Sequence, residues 1–317
     1  MNPLATLFGV AVGLRNALYD RGVLPARRLQ RPVISVGNLS VGGSGKTPFV
    51  ILLGELLRAR GIRFDVLTRG YGRRSRGVAL VDPKGSAREF GDEPLLIARR
   101  LSVPVVVAAE RYQAGVFAER RFAPQLHLLD DGFQHRQLAR DFDIVLVAPE
   151  DLGDRLLPAG RLRETISALR RAHAVVLPPD FPAESLPLAG AHVWRLQRGL
   201  QAEPLPPRPV AFCGIARPQR FFSQLRAAGV ELAAEAIFRD HHEYTRADVA
   251  GLLKTKQRVS AGGFVTTEKD AVNLGALLAE LQPAASARVV MELADAQGAL
   301  ETALLKIGLS NSFRTPV

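Results

Sequence analysis

The sequence contains one cysteine, Cys213, only six lysines, and 6% aromatic residues. A single thiol cannot close an internal disulfide, so a disulfide framework is excluded and a reducing compartment is expected. No run reaches the 18 or so apolar residues that a membrane-crossing helix needs. The nearest approach, Leu4 to Leu18, is interrupted by Arg15 and Asn16. It also has neither the basic start nor the small-residue cleavage site of a secretory signal. Internal repeats and low-complexity tails are absent. So are zinc-finger, RNP and helix-turn-helix signatures and any interleaving of basic with aromatic residues, and no nucleic-acid partner is expected.

Against these absences stand 36 arginines and a net charge of +11. Such an excess suits an anionic membrane surface, a phosphorylated substrate or nucleic acid, or it reflects codon usage across a genome. Hydrophobic residues at 47% and charged residues at 23% are ordinary globular values and exclude disorder, collagen and coiled coil. A length of 317 residues accommodates two domains. Residues 1–31 carry Arg15, Arg21, Arg27, Arg28 and Arg31 against one acid, Asp20. An apolar helix followed by arginines suits the surface of a bilayer, or a helix packed on its own domain.

From residue 32 the chain alternates short apolar runs with helical patterns. Strands are expected at 33–36, 64–68, 104–108, 126–129 and 144–147, with helices at 48–60, 92–101 and 111–121. A proline-rich stretch at 178–208 reads as a linker. Beyond it, strands are expected at 210–213, 231–238, 263–266 and 288–291, with helices at 217–228, 246–254 and 269–281. This alternation predicts an α/β fold with a mostly parallel, buried sheet of the phosphate-loop type. The expected organisation is an amphipathic helical region at 1–30, a phosphate-loop domain at 31–190 and a second, smaller α/β domain at 205–317.

The sharpest motif is S-V-G-N-L-S-V-G-G-S-G-K-T-P at 35–48, which follows a strand and opens a helix. Ser40, Val41, Gly42, Gly43, Ser44, Gly45, Lys46 and Thr47 would wrap backbone N–H groups around an anion at a helix N-terminus. Lys46 would reach the β- and γ-phosphates, and the Thr47 hydroxyl would hold Mg²⁺. A strict phosphate loop has glycine where this chain has Ser40; the paired Gly42 and Gly43 supply the permissive backbone instead. The loop predicts binding of a nucleoside triphosphate.

Three further clusters bear on chemistry. Asp130 and Asp131 follow an apolar strand, and adjacent carboxylates there repel unless a cation sits between them. Gly91-Asp92-Glu93-Pro94 opens a helix, where Asp92 is either a cap or a general base toward an acceptor hydroxyl. Thr68 to Arg74 (TRGYGRR) is either a phosphate grip or a solvated surface. The pair His241-His242 is a structural pair or a catalytic one.

Taken together the motifs resemble the tetraacyldisaccharide 4'-kinase family. The resemblance rests on the loop at 35–48, T-R-G-Y-G-R (68–73), G-D-E-P (91–94) and D-D-G-F-Q-H (130–135). L-P-A-G-R-L-R-E (157–164), F-C-G-I-A-R-P (212–218), F-R-D-H-H-E-Y (238–244) and T-T-E-K-D-A-V (266–272) follow in order. Ser40 matches the family's own small hydroxyl residue, whereas Arg161 stands where many members have proline.

The resemblance implies ATP- and Mg²⁺-dependent transfer of the γ-phosphate to the 4'-hydroxyl of a tetraacylated glucosamine disaccharide 1-phosphate. The product would be lipid IVA, made at the cytoplasmic face of a bacterial inner membrane. It implies a catalytic pair of Asp92 and a histidine of D-H-H, His241 in preference to His242. Thr47, Glu93, Asp130 and Asp131 would form the metal side of the site. Arg69, Tyr71, Arg111, Gln134 and His135 would surround the phosphates or the sugar. Two α/β/α domains would enclose the site between them. The rival reading, a membrane-associated switch ATPase of the partitioning kind, is disfavoured because its loops carry an additional early lysine and 40–44 contain none.

Overall fold

The computed structural model describes residues 2–202 and 204–309. Residues 310–317, at the end of the expected second domain, lie outside the described residues. The first half runs α1 (Pro3–Asp20), β1 (Val33–Asn38), α2 (Lys46–Ala59), β2 (Phe64–Thr68), β3 (Ala79–Leu80), α3 (Ala87–Phe90), α4 (Asp92–Leu101), β4 (Val105–Val107), α5 (Arg111–Phe122), β5 (Leu126–Asp130), β6 (Phe142–Leu146) and β7 (Ala174–Leu177). It continues with β8 (His192–Ala202), β9 (Val210–Cys213), α6 (Pro218–Ala227), β10 (Ala234–Ile237), α7 (Arg246–Arg258), β11 (Phe264–Thr267), α8 (Glu268–Leu274), β12 (Ala284–Leu293) and α9 (Ala296–Lys306).

All twelve strands join one sheet, ordered β10-β9-β11-β12-β8-β7-β6-β1-β5-β2-β4-β3. Pairing is parallel except where β3 meets β4 and β8 meets β12. Helices cover both faces, which is why β1, β2, β5 and β6 are buried at every position and are mostly apolar along their length. On one face α2 sends Phe49, Val50, Leu53 and Leu57 into the core with Ile34, Val36 and Leu95. That spacing of three and four residues is a helical stripe. Gly54 leaves room for Leu101, whose Cδ1 would stand 2.5 Å from a Cβ there. On the other face α5 packs Ala114 and Ala118 against Val33, Leu67 and Leu129.

The expected first-half strands appear as β1, β2, β4, β5 and β6, and the helices as α2, α4 and α5. The stretch read as a linker contains β8. Its prolines cluster at 178–187 and 204–209, leaving 192–202 free to extend, with Trp194 and Leu196 buried on one face. His192–Arg195 pairs in parallel with β7, and Leu196–Ala202 pairs antiparallel with β12, so one strand serves both halves of the sheet. The helix expected over 269–281 is α-helical only to Leu274 and tightens to a 3₁₀ turn from Gly275, whose φ is +53°. The helix α9 and the short β3 carry no strong periodic signal.

The helix α1 buries none of its residues. Leu4, Leu7, Val10 and Leu14 share one side of it and are each more than 60% exposed. Its last turns are tied down: Arg15 donates to the Gln134 carbonyl at 2.5 Å, Asn16 to Glu164 at 2.6 Å, and Arg136 pairs with Asp20 at 2.7 Å. Among the described residues no helix is long and apolar enough to cross a membrane.

Candidate active site

The parallel strands β1, β2 and β5 end together, at Asn38, Thr68 and Asp130, the end of an open α/β sheet where ligands bind. From Asn38 the chain turns over α2 as the expected loop. Gly42, Gly43 and Gly45 have φ of +70°, +66° and +83°, a region closed to most side chains, and so turn the backbone about a central space. Ser40 is fully buried; its carbonyl accepts from Asn38 Nδ2 at 2.7 Å, and its small size fits the site. The L-P-A-G-R-L-R-E segment props the loop from behind, with Val41 donating to the Arg161 carbonyl at 2.8 Å and Arg163 to the Leu39 carbonyl at 2.7 Å. Arg198 of β8 donates to the Ser44 carbonyl at 2.6 Å. Thr47, the second residue of α2, is buried beneath it.

Lys46 Nζ donates to Asn38 Oδ1 at 2.8 Å and stands 3.4 Å from Asp131 Oδ1. Arg163 grips Asp131 with two hydrogen bonds of 2.9 and 2.8 Å and also reaches Asn38 Oδ1. Burial opposes ionisation of Asp131, but Lys46 and Arg163 outweigh it and hold the carboxyl far below the usual range. Asp130 is the opposite case. Burial, then the negative charges of Glu93 and Asp131, push its carboxyl up to about 7. Thr68 Oγ1 donates to Asp130 Oδ2 at 3.1 Å, while Asp130 Oδ1 is buried without a hydrogen-bond partner among the described residues. An orphaned carboxylate oxygen beside two other acids suits a divalent cation. Among the described residues no three His, Cys, Asp or Glu side chains converge as a protein-only metal site. Mg²⁺ is commonly bound by one or two carboxylates together with substrate phosphates, and Asp130 is a carboxylate free to serve in such a set.

A second cluster is built across the two halves of the chain. Asp92 is the first residue of α4, not a cap: Gly91, at φ +93°, precedes it and frees the carboxylate to point at the second half. His241 Nδ1 lies 2.9 Å from Asp92 Oδ2 and 3.1 Å from Oδ1. Asn273 donates to Asp92 Oδ2 at 3.1 Å, and the Glu93 N–H to Oδ1 at 2.8 Å. Lys269 Nζ sits 3.6 Å from Asp92, 3.7 Å from Glu93, 3.3 Å from Asp240 and 3.3 Å from His241 Nε2. Burial raises the Asp92 pKa, but the bond to His241 and the Lys269 charge prevail and leave it at about 2. For His241, burial disfavours the imidazolium while Asp92 favours it more, so its pKa is raised. His241 also takes a left-handed backbone, φ +56°, the kind of strain that persists where surroundings over-determine it. His242 turns away, to Asp248 Oδ2 at 3.1 Å and into a cluster with Phe238 and Tyr244.

The remaining predicted residues fall around these groups. The Tyr71 ring is 5.1 Å from His241 and is 64% exposed. Gln134 donates to the Asn38 carbonyl at 2.9 Å. Arg111 is buried, and burial lowers its pKa to about 10, with exposed Arg69 adding to that fall. Burial and the cations Arg111, Arg140, Arg15 and Arg69 bring His135 down to about 4. Sequence reasoning did not single out Asn38, Arg163, Arg198, Lys269 or Asn273. Arg163 and Lys269 lie inside motifs that carried the resemblance, but nothing in their spacing showed which way they point.

The chain matches the model of the family described as tetraacyldisaccharide-1-P 4'-kinase over residues 1–308. It belongs to that family. A tetraacyldisaccharide 4'-kinase of Koribacter versatilis is 52% identical, with 95% of this chain and 97% of the relative covered. One from Geobacter metallireducens is 41% identical over 96% of each. Among solved structures, an LpxK protein from Aquifex aeolicus in complex with ATP superposes with a TM-score of 0.78 at 34% identity, covering 96% and 98% of the two chains. The tetraacyldisaccharide 4'-kinase relationship thus spans both halves of the sheet.

Proposed function

We propose that this chain transfers the γ-phosphate of ATP to the 4'-hydroxyl of a tetraacyldisaccharide 1-phosphate, forming lipid IVA. The observation that carries the reading is a phosphate loop joined at one sheet end to a carboxylate–imidazole pair. Asp240, next to His241, has Oδ2 3.9 Å from where a Cβ of Gly42 would stand. A loop alone suits any ATPase; a base pair beside it suits an acceptor hydroxyl.

In this mechanism the loop amides and Lys46 hold the triphosphate, with Lys46 opposing negative charge on the migrating group. Mg²⁺, bound by Asp130 and Thr47 with Glu93 and Asp131 nearby, would supply charge neutralisation at the phosphates. The acceptor oxygen forms its bond to the γ-phosphorus as the bond to the β-phosphate oxygen breaks. The hydroxyl proton passes to the Asp92–His241 pair, with Asp92 facing the hydroxyl. A cavity of about 490 Å³ lies beyond the ends of β6 and β7, lined by Val147, Ala148, Pro178, Leu196 and Arg198, and is large enough for the nucleobase. Arg69, Tyr71, Arg111, Gln134 and His135 would face the sugar and its phosphate.

The exposed ridge of α1 would lie on the cytoplasmic face of the inner membrane, with nearby arginines on anionic headgroups. Because the last turns of α1 hold the Gln134 loop, docking there would bring the acceptor headgroup to the site. The residues at 31–190 and 205–317 would close upon each other once both substrates are bound, excluding water.

The test is transfer of labelled γ-phosphate to tetraacyldisaccharide 1-phosphate in detergent micelles, beside a tube without acceptor. Label in the lipid only with acceptor and Mg²⁺ supports the kinase. Equal release of free phosphate in both tubes overturns it in favour of a switch ATPase.

A further inference from the structure

Arg217 belongs to the F-C-G-I-A-R-P motif, follows β9 and immediately precedes α6. It comes from the second half of the chain, yet it lies on the phosphate loop. Its Cγ, Cδ and Nε stand 2.7, 2.9 and 3.1 Å from where a Cβ of Gly43 would be, and Ala216 Cβ stands 2.6 Å from that of Gly42. Glycine at 42 and 43 is thus required twice, by the positive φ and by the Ala216–Arg217 segment pressed against it.

The Arg217 side chain is only 10% exposed, and Nε, Nη1 and Nη2 have no hydrogen-bond partner among the described residues. Two carboxylates are near: Glu150 Oε2 at 3.0 Å and Asp151 Oδ1 at 3.7 Å. The Glu150 contact is a close ion pair at one nitrogen, Nη1, with a carboxylate that is itself more than half exposed, and it leaves Nε and Nη2 without an acceptor at hydrogen-bond distance. Glu150 is shared with Arg220 at 3.3 Å, and Asp151 spends its other oxygen on the Ala148 N–H. A buried guanidinium gains from every further acceptor, and Nε and Nη2 have room for those that another anion would bring. Arg198, another partly buried cation at the loop, is already engaged with the Ser44 carbonyl and fixes the loop. Arg217 has no such occupation.

We propose that Arg217 is a phosphate-binding catalytic residue that the second half of the chain delivers to the terminal phosphates of ATP. Glu150 and Asp151 hold it as ion pairs, at 3.0 and 3.7 Å. When the triphosphate enters the loop, the guanidinium turns to non-bridging phosphate oxygens that offer acceptors to Nε and Nη2. No covalent change occurs at Arg217; its donors gain strength as charge shifts to the β-phosphate oxygens during transfer. It would thus serve as an arginine finger supplied within the same chain. Because it comes from beyond β9, its engagement would also make the second half report that ATP is present. This inference rests on the kinase reading given above.

The experiment compares wild type with Arg217→Ala, Arg217→Lys and Arg217→Gln in the labelled-phosphate assay, and measures binding of a fluorescent ATP analogue to each. Arginine fingers contribute about 10³–10⁵ in kcat, so Arg217→Ala is expected to lose at least about 10²-fold in kcat. Lysine, which lacks the planar fork, should recover only a small part of the loss. Added guanidinium should raise the rate of the alanine variant and leave wild type unchanged, which a merely structural residue would not produce. If alanine does not fold, the glutamine variant takes its place. A kcat and ATP affinity within about twofold of wild type in the folded alanine or glutamine variant would overturn the proposal. Failure of wild type to phosphorylate the lipid would instead count against the kinase reading, and analogue affinity unchanged across the variants would then overturn Arg217 as a phosphate ligand.

Discussion

His241 Nδ1 and Asp92 Oδ2 are 2.9 Å apart although 149 residues separate them in the chain. The contact joins the start of α4 to the turn after β10, so this pair, proposed to accept the hydroxyl proton, exists only when both halves are folded. Asp92→Asn is expected to lower kcat by about 10²–10⁴ with little change in ATP affinity, because a base acts in the transition state. Steady-state kinetics with ATP varied at saturating lipid will check it; a rise in the KM for ATP alone would make Asp92 a positioning residue.

Lys46 shares Asn38 Oδ1 with Arg163 and lies close to Asp131. Lys46→Ala should remove about 10²–10³ in kcat by deleting a donor to the migrating phosphoryl group. The fold should survive, since Arg163 still pairs Asp131. The measurement is single-turnover transfer together with a thermal melt.

Asn273 has one visible duty toward the site, its 3.1 Å hydrogen bond to Asp92 Oδ2. A hydrogen bond to a charged group is worth about 1.5–3 kcal/mol, which sets an upper limit of roughly 10–150-fold on the effect of Asn273→Ala. The loss is expected in kcat, with ATP affinity unchanged. Lys269→Met should act in the same direction and more strongly, because four groups face that ammonium.

At the opposite end of the sheet, buried His127 has Nδ1 2.9 Å from Asp65 and Nε2 3.3 Å from Glu119. Burial works against the imidazolium, but Asp65 and Glu119 overcome it and raise the pKa above the ordinary 6.5. A raised histidine pKa gives stability that is complete below the unfolded-state value and disappears as pH climbs through the folded-state value. Wild type should therefore lose stability above pH 6.5 relative to His127→Gln. Urea midpoints of both proteins across pH 6 to 9 will show the gap narrowing if this holds.

Leu7 and Val10 stand 66% and 63% exposed on α1. Replacing both with glutamate should abolish co-sedimentation with vesicles containing anionic lipid and leave the melting temperature unchanged. Transfer to a short-chain, soluble acceptor should persist, whereas transfer to acceptor embedded in vesicles should fall.

Much of the first half is readable from the chain because buried parallel strands need mostly apolar runs, and Val33–Val36, Phe64–Thr68 and Leu126–Leu129 supply them despite Ser35, Asp65, Thr68 and His127. The phosphate loop was equally plain, since glycines, lysine and threonine at fixed spacing have few other uses. What could not be read is what depends on distance through space. Lys269 and Asn273 are four residues apart on α8, and only the packing of α8 against α4 turns them onto Asp92. Asp130 and Asp131 look alike in sequence, yet one has two cationic partners and the other an empty oxygen. Strand β8 was hidden because flanking prolines suggested a linker, while its own eleven residues contain none.

That shared strand bears on how the protein can be divided. A fragment ending near residue 190 would leave β7 with its ladder of N–H and C=O groups facing solvent, and a fragment starting near 205 would do the same to β12. Exposed strand edges of this kind recruit other chains. The molecule can therefore be studied by substitution throughout, but separately expressed halves should aggregate unless each is supplied with its own copy of residues 192–202.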